Sequence, residues 1–221
     1  RGRGDVYKRQ LGAFANVTAI ESFMDQLAEA ASIPPLEFRL QHLTDGRARH
    51  GVRLLADQMD TDLNGSESES GLGIAFARYK NSAAYCAVGV QLVVTEKASV
   101  RLLRAWIVAD AGEVVAPSGL TAQLEGGFIQ AASWSLYESV TYDADGITSR
   151  DWETYPILTF AQAPRVEVII LDRPGEPALG AGEASSEPVA AAIANALFDA
   201  TQVRVRRLPL SPDNLRQAAS A

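Results

Sequence analysis

Apolar positions fall at helical spacing at the start of the chain, at strand-like spacing in the middle, and in a mixture of both towards its end. Ile20, Phe23, Met24, Leu27 and Ala31 lie on one helical stripe, and Pro34 and Pro35 open a second short helix running to Leu43. Val52 to Met59 is an amphipathic stretch within the polar segment Asp45 to Glu69, and the Ser- and Glu-rich Gly65 to Gly71 reads as an exposed linker. Three extended runs follow, Gly73 to Tyr79, Ala84 to Val94 and Val100 to Ala109, with Thr95 to Ser99 as a turn and Asp110-Ala111-Gly112 closing the third. They predict a largely antiparallel sheet, with Asp110 as a simple strand-to-loop turn residue.

Leu120, Leu124, Phe128, Ala131 and Trp134 then predict a helix over Ser118 to Glu138. Gly126-Gly127 sits inside it, where each glycine costs about 1 kcal/mol relative to alanine, so something is expected to pack very close. Val140 to Tyr142 and Ile147 to Thr148 flank Asp143-Ala144-Asp145-Gly146 as a hairpin. Asp143 and Asp145 lack the further ligands of a calcium loop. Val166 to Leu171 is a last strand, and Val189 to Ala200 is apolar almost all round, which predicts a buried helix. The fold class is α+β: a mixed or antiparallel sheet with packed helices. The chain divides into a helical segment over 11–64, a linker over 65–71, a larger unit over 72–210 and a tail over 211–221 expected to fray.

The loop ahead of the last apolar helix carries the most specific chemistry. Gly180-Ala181-Gly182-Glu183-Ala184-Ser185-Ser186-Glu187-Pro188 sets one carboxylate, Glu183, among small residues just before a helix N-terminus. Small neighbours let a ligand approach the backbone, and the helix dipole favours the charged carboxylate. This describes a base; the alternative is that Glu183 only joins the capping of the helix. Ser185 or Ser186 can cap it, and Pro188 suits its first turn.

Residues 1–10 read as foreign. Asp5-Val6-Tyr7-Lys8-Arg9-Gln10 is what a common sequencing-transposon end gives when translated, so 1–10 are expected to be adapter-derived. They contribute +3 to a net charge of −7, which leaves −10 on the rest. An acidic chain without a basic patch argues against nucleic acid, and no apolar run reaches the length of a membrane span. Cys86 is the single cysteine, set in an apolar run, and reads as an inert buried thiol. His42 and His50 lie in charged helical segments and are not expected to bind metal.

Three separated stretches, Leu11 to Phe23, Gln123 to Gln130 and Gly180 to Ala200, together resemble the molybdenum-binding subunits of the xanthine dehydrogenase and aldehyde oxidase family. The wording Ala-Phe-Ala-Asn, Ala-Arg-Tyr-Lys-Asn, Asp-Trp-Glu-Thr-Tyr-Pro-Ile and Gly-Ala-Gly-Glu-Ala is most similar to the nicotinate dehydrogenase and isoquinoline oxidoreductase branch. The resemblance implies a hydroxylase that takes its oxygen from water. Glu183 would be the base beside the molybdenum, with Ala181 and Gly182 in the same loop. Gln123, from the Gln-x-Glu-Gly-Gly-x-x-Gln helix, would hydrogen-bond near the metal, because an amide both donates and accepts. Without the resemblance, close helix packing with Gln123 on the surface reads equally well. Gly126 and Gly127 would lie against the pterin, and Gly12 and Ala13 would match the later part of a glycine-rich loop near the metal. Leu11 is the one residue of that loop left to face a substrate.

The implied cofactor is molybdenum-molybdopterin, in the cytosine dinucleotide form. The implied partners are a small 2Fe-2S subunit, a cytochrome or other electron acceptor, and an N-heteroaromatic or aldehyde substrate. The upstream half of the pterin pocket is expected outside this chain, which alone should be inactive; the rival reading is an accessory subunit of the same fold without metal. Two departures from the family pattern stand out. Ala116-Pro117 replaces Asn-Pro, and Gln202 replaces a glycine at the end of the last helix, where a left-handed cap would be strained.

Overall fold

The structure, a computed structural model, describes residues 12–63 and 70–220. Residues 1–10 of the expected adapter, Leu11 and most of the expected linker lie outside them. Six helices and six strands are found among the described residues. The helices are α1 Gly12–Ala31, α2 Pro35–His42, α3 Gly46–Leu63, α4 Pro117–Leu136, α5 Val189–Thr201 and α6 Pro212–Ala219. The strands are β1 Gly71–Arg78, β2 Tyr85–Val94, β3 Val100–Asp110, β4 Tyr142–Asp143, β5 Gly146–Ile147 and β6 Arg165–Leu171. β1 therefore takes Gly71 out of the expected linker, and β4 and β5 form the expected hairpin.

The main sheet has the order β1-β2-β3-β6. β1, β2 and β3 are antiparallel neighbours, as their spacing predicts, but β6 lies parallel to β3, with Val108 opposite Ile169. The sheet is mixed, because the chain crosses over through α4 and the small hairpin before returning to the edge of β3.

Helices cover both faces, so β2 is buried along most of its length and reads as a continuous apolar run. Cys86, Val88, Val90 and Leu92 face α4 and α5, while Ala87, Trp106 and Val108 pack with Val52, Leu55 and Met59 of α3. The Cys86 thiol is fully buried, and burial pushes its pKa up. α5 is buried as predicted and lies against β1 almost backbone to backbone. A Cβ at Gly71 or Gly73 would collide with the carbonyls of Ala196 and Ala192 respectively.

α1 is turned the other way from its pattern. Its apolar stripe is exposed, at 59% for Ile20, 57% for Phe23 and 39% for Leu27, whereas Glu21 and Asp25 are buried. The buried Arg39 explains this. Its Nε donates to Glu21 at 2.8 Å and another guanidinium nitrogen donates to Asp25 at 2.6 Å, while Glu21 also accepts the Phe76 N–H at 3.0 Å. The partnered carboxylates can therefore face inward.

The tail expected to fray is α6. The Ser211 hydroxyl oxygen accepts the Asn214 N–H at its start, Leu215 is buried, and Arg216 donates to the Lys97 carbonyl at 2.7 Å.

Candidate active site

Three segments converge on Glu183. The first is the turn after β1, Tyr79 to Asn81, in which Lys80 and Asn81 adopt left-handed φ values of 51° and 58°. Tyr79 donates its N–H to the Ala84 carbonyl at 2.8 Å, and Ala84 donates to the Gly180 carbonyl at 3.1 Å. The turn is thereby tied to the second segment, the 180–188 loop. The buried Tyr79 turns its hydroxyl onto Glu183 and donates to Oε2 at 2.9 Å. Burial, and then the hydrogen bond to Glu183, raise the Tyr79 pKa, so the phenol holds its proton and remains a donor.

The third segment is the first half of α4. Gln123 donates from Nε2 to the Gly182 carbonyl, Ser185 donates to the Leu124 carbonyl at 2.8 Å, and Ser186 donates to the Gly127 carbonyl at 3.2 Å. These bonds correct the expected capping: the two serines bind α4, and α5 starts at Val189 with Pro188 as its N-cap and no side-chain cap bond. Glu183 likewise accepts from Tyr79 and does not cap the start of α5.

The glycine pair divides in two. A Cβ at Gly127 would strike the Ser185 hydroxyl, which accounts for the close packing expected there. At Gly126 a Cβ would meet nothing within 4 Å, and the residue is exposed, one turn beyond Gln123 on the same helix. Gly182 is also open and exposed, and Ala181 packs partly against the core. Gly12 is exposed at the start of α1; Ala13 lines a cavity of about 370 Å3 that it shares with Asn16, Arg78, Lys80, Asn81 and Glu187. That cavity is what links α1 to the Glu183 loop.

Sequence reasoning misses two residues here. Tyr79 sits in the Ala-Arg-Tyr-Lys-Asn wording, but at the end of an alternating strand nothing marks its hydroxyl. Glu187 stands in the loop without a role in the sequence pattern, although an acidic residue at the mouth of an apolar helix is a usable signal. It is only 1% exposed.

Asp110, expected as a turn residue, is a buried anchor paired with Arg47 and Arg173. It holds the start of the 173–179 segment, where Leu179 donates to the Ala111 carbonyl at 2.7 Å, and so sets the approach to the Glu183 loop. Both departures from the family pattern have a visible outcome: Ala116 is the N-cap of α4 with no side-chain bond, and Gln202 closes α5 at φ 58°. Among the described residues no cluster of His, Cys, Asp or Glu could hold a metal ion, and no helix is long and apolar enough to cross a membrane.

The sequence pattern of the molybdopterin cofactor-binding domain matches residues 11–164. The chain belongs to this family. A nicotinate dehydrogenase polypeptide of Pseudomonas putida is 39% identical over 96% of the chain, and the beta chain of isoquinoline 1-oxidoreductase from Brevundimonas diminuta is 31% identical over 93%. The chain spans only 19% and 26% of those relatives' lengths. The aldehyde oxidoreductase of Desulfovibrio gigas shares the fold, with a TM-score of 0.78 at 16% identity over 95% of the chain and 41% of that structure. The resemblance drawn from the motifs, to the molybdopterin-binding subunits of the xanthine dehydrogenase and aldehyde oxidase family, therefore holds, as does the α+β architecture.

Proposed function

We propose that this chain forms one wall of the active site of a molybdopterin-dependent hydroxylase, with Glu183 as its general base. The observation that carries the reading is the Tyr79 hydroxyl fixed on Glu183, in an open small-residue loop stitched by Gln123 to α4. A base has to be held at one position and remain accessible, and Glu183 is half-buried with one carboxylate oxygen anchored.

The residues present suit the cofactor. The open, exposed surface over Gly126 and Gly182 leaves room for a flat group against the backbone, and Gln123 lies beside it with an amide able to bond polar ring edges. A metal held by a pterin needs no ligand cluster from the protein. When bound, the cofactor would supply the oxidising centre and the activation of a water-derived oxygen. Gly126, Ala181 and Gly182 would bound its space, Gln123 would orient it, and Gly12 and Ala13 would approach from α1; Gly127, buried against Ser185, serves the packing of the loop on α4 and not the cofactor.

Glu183 takes a proton at its carboxylate during attack on the substrate, and Tyr79 keeps that carboxylate in place. General-base help of this kind is typically worth 10²–10⁴-fold. The two relatives above are named for nicotinate and isoquinoline, which supports a nitrogen heterocycle as substrate; an aldehyde is the other class, from the molybdenum-binding polypeptide of the Escherichia coli aldehyde oxidoreductase at 28% identity. The cytosine dinucleotide form of the cofactor, a 2Fe-2S partner subunit and a downstream electron acceptor belong to the same proposal.

The test is Glu183→Gln in the full-length polypeptide with its partner subunits, followed by nicotinate oxidation and molybdenum content. Loss of turnover by at least about 100-fold with molybdenum retained supports the reading. Undiminished turnover overturns the base, and a well-folded complex without molybdenum overturns the enzyme.

A further inference from the structure

We propose that the cavity between α1 and the turn after β1 receives a carboxylate carried on the substrate's ring, and that Lys80 selects for it with Arg78 beside it. This rests on the reading of Glu183 as the base and narrows the substrate of that site to an acidic nitrogen heterocycle.

Lys80 follows Tyr79 in the chain, and its Nζ lies 5.0 Å from the centre of the Tyr79 ring. The hydroxyl of the same ring donates to Glu183 at 2.9 Å, so a single aromatic ring separates the ammonium from the base. Lys80 is exposed, makes no ion pair among the described residues, and holds a left-handed φ of 51°. Glycine would hold that conformation without strain, so the backbone alone does not account for a lysine there. Arg78 is the second cation at the cavity. Its ion pair with Asp45 is loose, at 3.9 Å, and Asp45 also accepts from the Tyr85 hydroxyl and from the N–H groups of Arg47 and Ala48.

The cavity, of about 370 Å3, falls within the range of small-molecule sites. Phe76, Val17 and Ile20 give it apolar walls for a ring, and the amides of Asn16 and Asn81 add donors. Two polar atoms of residues in its wall, Arg78 Nε and Glu187 Oε1, are buried without a hydrogen-bond partner among the described residues. Unpartnered buried polar atoms around one cavity point to a polar group that fills it. The two cations decide the sign of that group. Of the two carboxyls in the wall, Glu21 is taken up by the buried Arg39 and the Phe76 N–H. Burial pushes Glu187 up to about 7, so near neutrality it carries a proton much of the time and can donate it to an anion. A carboxylate is the group that satisfies an ammonium, a guanidinium and a carboxylic acid together. An uncharged ring or an aldehyde would leave Lys80 and Arg78 unused.

The experiment uses the full-length polypeptide with its partner subunits and compares nicotinate with nicotinamide, which keeps the ring and replaces the carboxylate by an uncharged amide. Lys80→Met keeps a straight side chain and removes the charge; Lys80→Arg keeps the charge. In Lys80→Met the KM for nicotinate should rise by about tenfold or more, with the KM for nicotinamide and the molybdenum content unchanged, and Lys80→Arg should recover most of the loss. Binding of nicotinate to the Glu183→Gln complex, measured by calorimetry, should weaken by the same factor when Lys80→Met is added. An unchanged nicotinate KM in Lys80→Met, an equal rise for both compounds, or loss of molybdenum, which would assign the cation to a phosphate of the cofactor, overturns the proposal. So does a wild-type enzyme that does not prefer nicotinate to nicotinamide. The calorimetric measurement does not depend on turnover, so failure of the base reading, seen as activity in Glu183→Gln, is distinguished from failure of this one.

Discussion

Tyr79 and Glu183 are 104 residues apart in sequence and 2.9 Å apart through the phenol hydroxyl and Oε2. The contact joins a strand end to the loop before α5, and it is the point where two separate parts of the chain meet on the proposed base. Tyr79→Phe keeps the buried ring and removes the donor. Turnover of the full-length enzyme should fall by about tenfold, because a hydrogen bond to a charged group is worth roughly 1.5–3 kcal/mol and part of it is recovered by water. Steady-state kinetics should show the loss in kcat with KM little changed.

The two glycines of α4 should respond in opposite ways. Gly127→Ala places a methyl on the Ser185 hydroxyl and should cost about 1–3 kcal/mol in thermal or urea unfolding. Gly126→Ala enters open space and should stabilise α4 by up to about 1 kcal/mol. If the cofactor lies over Gly126, the same variant should lose bound molybdenum, measured by metal analysis, while melting at a higher temperature.

Asp110 should give the protein a marked acid dependence. Burial pushes its carboxyl up, but hydrogen bonds from Arg47, Arg173 and the Gly112 N–H outweigh that and hold it below the ordinary 3.8. A folded-state value below the unfolded one stabilises the fold above the unfolded value, and the contribution is lost as pH falls through the folded value. Unfolding followed at successively lower pH should therefore show stability falling on the acid side of 3.8. Asp110→Asn should flatten that fall and cost on the order of 3 kcal/mol at neutral pH.

Gln202 ends α5 in the left-handed region at φ 58°, where its side-chain amide donates to the Asp199 carbonyl at 3.2 Å. Gln202→Gly relieves the strain and gives up that bond. A net gain of roughly 0.5 kcal/mol is expected in denaturant unfolding, with activity unchanged.

What is legible in the sequence is what local pattern encodes. The all-apolar α5 and its small-residue loop, the glycine pair in α4 and the three extended runs that make β1, β2 and β3 are all found where the local pattern places them. What is not legible depends on partners distant in the chain. The apolar stripe of α1 points outward because Arg39, on a different helix, draws Glu21 and Asp25 inward, and no periodicity within α1 encodes that. The parallel pairing of β6 follows from the path of the crossover and not from the strand's own residues. Asp110 reads as a turn because the two arginines that bury it, Arg47 and Arg173, are each 63 residues away.

The near-backbone contact of α5 with β1 makes that helix a rigid strut. With Ala192 and Ala196 set over Gly73 and Gly71, there is no side-chain bulk between strand and helix that could shift to absorb a displacement. A methyl group added at Gly73 has to be taken up by movement of the whole helix, and the Glu183 loop is attached to the end of that helix. The choice of side chain at position 73, remote from any reacting atom, is therefore governed by the positional tolerance of a carboxylate at the other end of a lever.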